Sequence, residues 1–183
     1  MSKSGRIPID FGKTKVEAVG QQVTYSGQYA SGTYLLPEVL TVEIKDGKML
    51  IKAVEKPKMA KRHVHRLWGL HRALLGNKIC GASVPFEKKV EIIGLGYKAV
   101  VSGSNIVFSL GYSHKIDFVL PKTVTLEVDK SGQKLSFKSP EKDTLGHVCS
   151  MVRALRPPEP YKGTGIKMAD EEIVRKAGKA KAG

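Results

Sequence analysis

A chain that repeats its own pattern of apolar stretches, glycines and prolines is restricted to a duplicated fold, and this chain does so along most of its length. Lys15-Val-Glu-Ala-Val-Gly20 reads against Lys89-Val-Glu-Ile-Ile-Gly94, and Tyr25-Ser-Gly27 against Val101-Ser-Gly103. Leu36-Pro37 followed by Thr41-Val-Glu-Ile44 reads against Leu120-Pro121 followed by Thr125-Leu-Glu-Val128. Gly47 and Leu50 match Gly132 and Leu135, and Arg72-Ala-Leu74 matches Arg153-Ala-Leu155. Each pair alone is weak. Their common order is the signal, with spacings that drift as loops gain or lose residues while strands hold their sequence.

Within each copy, short apolar or alternating stretches bounded by glycine read as strands. They are 16–25, 40–44 and 49–54 in the first copy, and 90–93, 97–101, 106–110, 116–120, 124–128 and 135–138 in the second. Gly-Ser-Asn at 103–105 and Lys-Ser-Gly at 130–132 are turn chemistry, which makes hairpins of their neighbours. Each copy closes with one amphipathic helix. In the second, Ser139 is read as the N-cap and Pro140 as the first helical residue. Leu145, Val148, Cys149, Val152 and Leu155 form its apolar stripe, and Pro157-Pro158 ends it. The predicted fold class is α+β: two tandem copies of a small antiparallel or mixed sheet with one helix on one face, plus an extended C-terminal tail. The boundaries read as 1–82 for the first copy, 83–156 for the second and 157–183 for the tail.

Lysine and arginine number 31 against 17 acids, a formal net charge of +14. Such an excess repels itself in a compact fold unless a polyanion neutralises it, and nucleic acid or an anionic membrane surface are the polyanions to weigh. No apolar run approaches the roughly 18 residues that span a bilayer, and the first residues lack a signal peptide's apolar stretch. Cys80 and Cys149 stand far apart, outside any metal or redox spacing, and are expected as buried thiols on helix faces. The expected location is cytoplasmic.

The charge is concentrated in two places. Between Lys56 and Lys78 there are seven basic residues, three histidines and no acid. Val64, Leu67, Trp68, Leu74 and Leu75 supply an apolar face there, while Lys58, Lys61, Arg62, His65, Arg66 and Arg72 recur on the other. From Arg153 onward there are eight bases against four acids. Pro157, Pro158 and Pro160 predict an extended stretch that does not return to the core. Tyr161 is suited to stack on a base, and Lys162 and Lys167 to meet phosphates. Asp170, Glu171 and Glu172 precede Arg175, Lys176, Lys179 and Lys181, the charge order of a short helix. A charge run can also serve solubility alone, but an acid-free helix and an extended basic tail favour RNA.

Other motifs fail on context. Gly94-Leu-Gly96 loosely fits a dinucleotide fingerprint, yet strand-like residues follow it where a helix is required. His63, His65 and His71 lack further ligands at metal spacing, and Ser113-His114 with Asp117 lacks a nucleophile frame. Nothing asks for catalysis, a cofactor or a small-molecule substrate.

The segment Arg156-Pro-Pro-Glu-Pro-Tyr-Lys-Gly-Thr-Gly-Ile166 closely resembles the signature of the large-subunit ribosomal protein six family, bacterial type. Gly5–Ile9, Phe86–Lys98, Leu110–His114 and Ala169–Glu171 with Arg175-Lys176 resemble further family segments, so the likeness spans nearly the whole chain. The resemblance implies a structural protein, not an enzyme, that binds 23S rRNA near the stalk base and the elongation-factor site, beside other large-subunit proteins and without forming a homo-oligomer. It implies RNA contacts at Arg153, Arg156, Tyr161, Lys162, Lys167, Arg175, Lys176 and Lys179, to which the basic helix adds Lys61, Arg62, Arg66 and Arg72. The alternative is an RNA-modifying enzyme or assembly factor using the same basic surface. Three features depart from the family pattern: Thr164 where lysine is usual, Ser26–Ala30 in place of a basic turn, and Trp68–His71.

Overall fold

The computed structural model describes residues 3–45, 47–54, 60–103 and 105–178. The chain forms two compact units: Met1–Pro85 with Pro140–Lys142, and Phe86–Ser139 with Asp143–Gly183. The first unit contains β1 (Ile9–Asp10), β2 (Lys15–Val19), β3 (Gln22–Ser26), β4 (Ser31–Leu35), β5 (Leu40–Lys45), β6 (Lys48–Ala53) and α1 (Lys61–Ser83). The second contains β7 (Phe86–Ile93), β8 (Lys98–Ser102), β9 (Asn105–Ser109), β10 (Ile116–Val119), β11 (Thr125–Val128), β12 (Lys134–Ser139), α2 (Lys142–Leu155) and β13 (Gly165–Met168).

The two units share one plan. Each has a sheet in which the first strand pairs with the sixth and the sixth with the fifth, β1-β6-β5 and β7-β12-β11. Each has a second sheet of consecutive strands, β2-β3-β4 and β8-β9-β10. Lys15 pairs with Ser26 as Lys98 pairs with Ser109, and Val19 with Gln22 as Ser102 with Asn105. Gly20 and Gly103 turn the two hairpins at φ 62° each, a left-handed conformation that favours glycine. Leu40 donates to the Pro37 carbonyl at 2.9 Å and Val124 to the Pro121 carbonyl at 3.0 Å. Glu43 takes the Lys52 ammonium at 2.6 Å, and Glu127 takes Lys138 at the same distance. The duplication therefore extends to individual side-chain pairs.

This register corrects part of the sequence alignment. Lys15–Gly20 corresponds to Lys98–Gly103 rather than to Lys89–Gly94, and β3 corresponds to β9, so Tyr25 matches Phe108 rather than Val101. Met49 and Ile51 are the counterparts of Leu135 and Phe137: all four are buried, whereas Leu50 is not. Identity between alternating strands is cheap because each repeats apolar and charged residues with period two. The positive-φ turn and the buried positions decide which strand matches which.

The apolar positions supply a core to each unit. Val23, Leu40, Met49 and Ile51 lie beneath Val64, Leu75 and Ile79 of α1. Ile106, Phe108, Leu135 and Phe137 lie beneath Leu145, Val148, Cys149 and Val152 of α2. Each such side chain contributes roughly 1.5–3 kcal/mol on burial. α1 runs through Gly69 without a break, since that packing outweighs glycine's roughly 1 kcal/mol helix penalty. Strands β1 and β4 were not among the sequence readings, being two residues long and Ser-Gly-Thr-rich respectively.

Four further expectations need correction. Ser139 is the buried last residue of β12, and α2 begins only at Lys142, so Pro140 lies outside the helix. Cys80 is exposed; Cys149 is buried, and burial pushes its thiol upward. The tail does return to the core: β13 pairs antiparallel with β7, and Ile166 is fully buried. No helix follows in 171–178. Glu171 is instead engaged by Arg153, and the Lys176 amide donates to the Pro160 carbonyl at 2.8 Å rather than to a helical carbonyl. Gly94–Tyr97 is a turn into β8, consistent with rejecting the dinucleotide motif.

Candidate nucleic-acid interface

The second unit builds its basic surface on one tied loop. α2 ends at Leu155, and the chain closes a loop when the Ile166 amide donates to the Arg156 carbonyl at 2.7 Å. Inside it, the Glu159 amide donates to the Thr164 carbonyl and the Gly163 amide to the Glu159 carbonyl. The Glu159 carboxylate accepts the Lys162 amide at 3.2 Å, so this acid is turned to its own backbone. Gly165 sits at φ 140°, and a Cβ there would fall 2.7 Å from the Pro157 carbonyl oxygen and the Pro158 Cα. The glycine lets the two limbs of the loop touch. Prolines fix one limb and hydrogen bonds fix the other, which presents Tyr161 (59% exposed) and Lys162 at the tip.

Around this tip lie cations with different attachments. The Arg175 guanidinium covers Gly163, and Lys176 is tied through its amide to Pro160, so both follow the loop with exposed side chains. Arg156 lies over the Tyr112 ring, 4.6 Å from its centroid. Arg153 instead holds Glu171 through its Nε and one terminal nitrogen. That pairing keeps the Glu171 carboxyl below the usual carboxylate range and raises the arginine. Lys167, on β13, is paired with Glu91 at 3.4 Å. Arg153 and Lys167 thus fasten the tail, while Arg156, Tyr161, Lys162, Arg175 and Lys176 surround the loop. Lys179 lies outside the described residues.

In the first unit, the start of α1 carries Lys61, Arg62 and His63 with no acid in the first turn and no side-chain cap on the helix. Cations at a helix's positive end are unfavourable by a few tenths of a kcal/mol each, and a bound anion reverses the sign. Arg66 is exposed one turn on, within 3.2 Å of His63 Nδ1. Arg72 differs. Its Nε donates to the Ile7 carbonyl at 3.0 Å and a terminal nitrogen to the Pro8 carbonyl at 3.1 Å, strapping the N-terminal segment to the helix. Trp68 closes the same contact, packing on Gly5 and donating to the Ile51 carbonyl. Arg72→Ala is therefore expected to lower the urea midpoint by the equivalent of about 1–2 kcal/mol, while affinity for rRNA stays within twofold of the unsubstituted chain.

Sheet faces away from the helices neutralise themselves. Glu127 with Lys138, Glu87 with Lys89 and Ser136, and Glu91 with Lys167 occupy one such face. About half of the basic excess of +14 lies on the loop, the tail and the start of α1. Tyr112 and His114 also belong near the loop: their rings stack at 6.1 Å, 21° from parallel. The sequence points to this segment only through a resemblance and a rejected Ser113-His114-Asp117 set, because a Gly-Tyr-Ser-His turn carries no charge pattern of its own.

The sequence model of the family Ribosomal protein L6 matches residues 93–169. The chain is similar to the large ribosomal subunit protein uL6 of Myxococcus xanthus, 43% identical over 98% of each chain. It is also similar to the proteins of that name from Desulfatibacillum aliphaticivorans (40% identical, 100% of each) and Methylocella silvestris (37%, covering 99% of this chain and 100% of the relative).

Proposed function

The chain belongs to the ribosomal protein L6 family, and from that premise we propose that it binds 23S rRNA through two basic surfaces, one on each unit, near the stalk base and elongation-factor site. The family is structural, so the chain is a constituent of the large ribosomal subunit and not an enzyme. Its setting is the ribosome of the cytoplasm, among other large-subunit proteins. No helix among the described residues is long and apolar enough to cross a membrane.

The observation that carries the reading is the tied loop 156–165. An exposed tyrosine beside an exposed lysine, flanked by Arg175 and Lys176 and held by prolines and amides, offers stacking and phosphate neutralisation together. The start of α1, with Lys61, Arg62 and Arg66, supplies a second cluster suited to phosphate oxygens. Arg153 and Lys167 fasten the tail, and Arg72 straps the N-terminal segment to α1.

Filter binding of the purified chain to 23S rRNA across a salt series tests the proposal. With Arg156, Lys162, Arg175 and Lys176 on one surface and Lys61, Arg62 and Arg66 on the other, log affinity is expected to fall against log salt with a slope of about −5 to −6, near 0.7–0.9 per phosphate. A slope near zero, or equal binding to anionic lipid vesicles, overturns it.

A further inference from the structure

We propose that Tyr112, with Arg156 on one face and His114 beside it, is a ready-made ledge on which an unpaired nucleobase of RNA stacks. This rests on the RNA-binding reading and adds to it a second stacking site, built on the β9–β10 loop and separate from Tyr161 at the loop tip.

The ledge is held before any ligand arrives. The Tyr112 hydroxyl donates to the Leu155 carbonyl at 3.1 Å, which fixes the ring against the last turn of α2. Beneath it, Tyr97 packs against Gly111, which adopts φ 75°, and a Cβ on Gly111 would lie 2.7 Å from that ring. Arg156 stands 4.6 Å from the centroid of Tyr112, and the His114 imidazole stacks on it at 6.1 Å. Yet Tyr112 remains 41% exposed, and Ser113, His114 and Lys115 are all exposed. An exposed aromatic pair with a guanidinium at its back suits a flat, electron-rich group joined to a phosphate, and an aliphatic protein surface would waste that cation.

The internal duplication supplies an independent argument. By the register of the paired hairpins, Tyr29 lies in the loop between β3 and β4 as Tyr112 lies in the loop between β9 and β10, which is one residue longer. In the first unit the loop is closed by the helix itself: the Tyr29 amide donates to the Ala82 carbonyl at 3.1 Å, and Gly27 lies against the Ala82 backbone. α1 continues to Ser83, whereas α2 stops at Leu155 before two prolines.

The test uses full-length protein and 23S rRNA. Ultraviolet cross-linking followed by peptide mapping is expected to place a nucleotide on residues 112–114 of the unsubstituted chain. Tyr112→Leu is expected to remove that cross-link and to weaken binding about 5- to 100-fold, the range of one lost base stack. Tyr112→Phe, which keeps the ring, is expected to retain the cross-link; it and His114→Ala decide the matter if the leucine variant fails to fold. Unchanged affinity and cross-linking in Tyr112→Leu, alongside weakened binding by Lys162→Ala, overturn the ledge and leave the RNA reading standing. Failure of the unsubstituted chain to bind rRNA overturns both.

Discussion

A chain ending at Leu155 will lose the cooperative unfolding of its second unit. On sequence alone the opposite outcome is the natural one, because α2 is complete at that point and three prolines follow within five residues. The pairing of β13 with β7 reverses the expectation. Ile166 is fully buried among Val90, Ile92 and the residues of α2, and Met168 packs against the same cluster. Removing Ile166 alone, as Ile166→Ala, is expected to destabilise by about 2–4 kcal/mol. Truncation adds the loss of a strand, an exposed β7 edge and the Arg153–Glu171 clasp, a total comparable with the roughly 5–15 kcal/mol that keeps a typical domain folded. Urea unfolding and limited proteolysis within 86–155 measure it; full-length resistance in the truncated chain refutes the account. The clasp adds a pH dependence of defined sign. Glu171 titrates below the ordinary carboxylate range because Arg153 holds its charged form, so its contribution is complete at neutral pH. It disappears as acid carries the pH down through that depressed value.

The second large effect is on binding. Replacing Tyr161, Lys162 and Lys176 together by alanine is expected to reduce affinity for 23S rRNA by about 10²- to 10³-fold at moderate salt. It is also expected to make the log–log salt slope shallower by about 1.4–1.8, at 0.7–0.9 for each lysine lost. All three side chains are exposed, and the hydrogen bonds that tie the loop use the backbone amides of Lys162 and Lys176 and not their side chains, so the fold is expected to survive. The control is Lys138→Ala, which removes a lysine of the self-neutralised sheet face paired with Glu127 at 2.6 Å. Equal losses in the two proteins would mean that net charge, and not this loop, governs binding.

The two folds and the basic surfaces were legible in the sequence to different degrees. The α2 stripe was clear because Leu145, Val148, Cys149 and Val152 recur at helical spacing and all four are buried. Turn residues named the β8–β9 and β11–β12 hairpins, but strand identities alone misaligned the copies, since Lys-Val-Glu occurs in both β2 and β7. The tail was misread because proline excludes helix and ladder hydrogen bonds only where it stands. Gly165–Met168, just beyond the prolines, is free to pair. Among its charges, pattern could not separate Arg153, facing Glu171 across the fold, from Lys162, facing solvent. The same limit applies to Arg72, whose partners are carbonyls more than sixty positions earlier.

Placing the last strand of the chain beside β7, the first strand of the second unit, has a consequence for synthesis. The first unit has every described strand and its helix in hand once Ser83 has emerged. The second is unfinished until Met168 is out, so a nascent chain carries one closed module and one with an open strand edge and an unfilled place for Ile166. Those late residues also anchor the tied loop, so a chain stalled before them offers its Tyr161 tip unfastened. Emergence of Gly165–Met168 and fastening of the 156–165 loop are thus the same event.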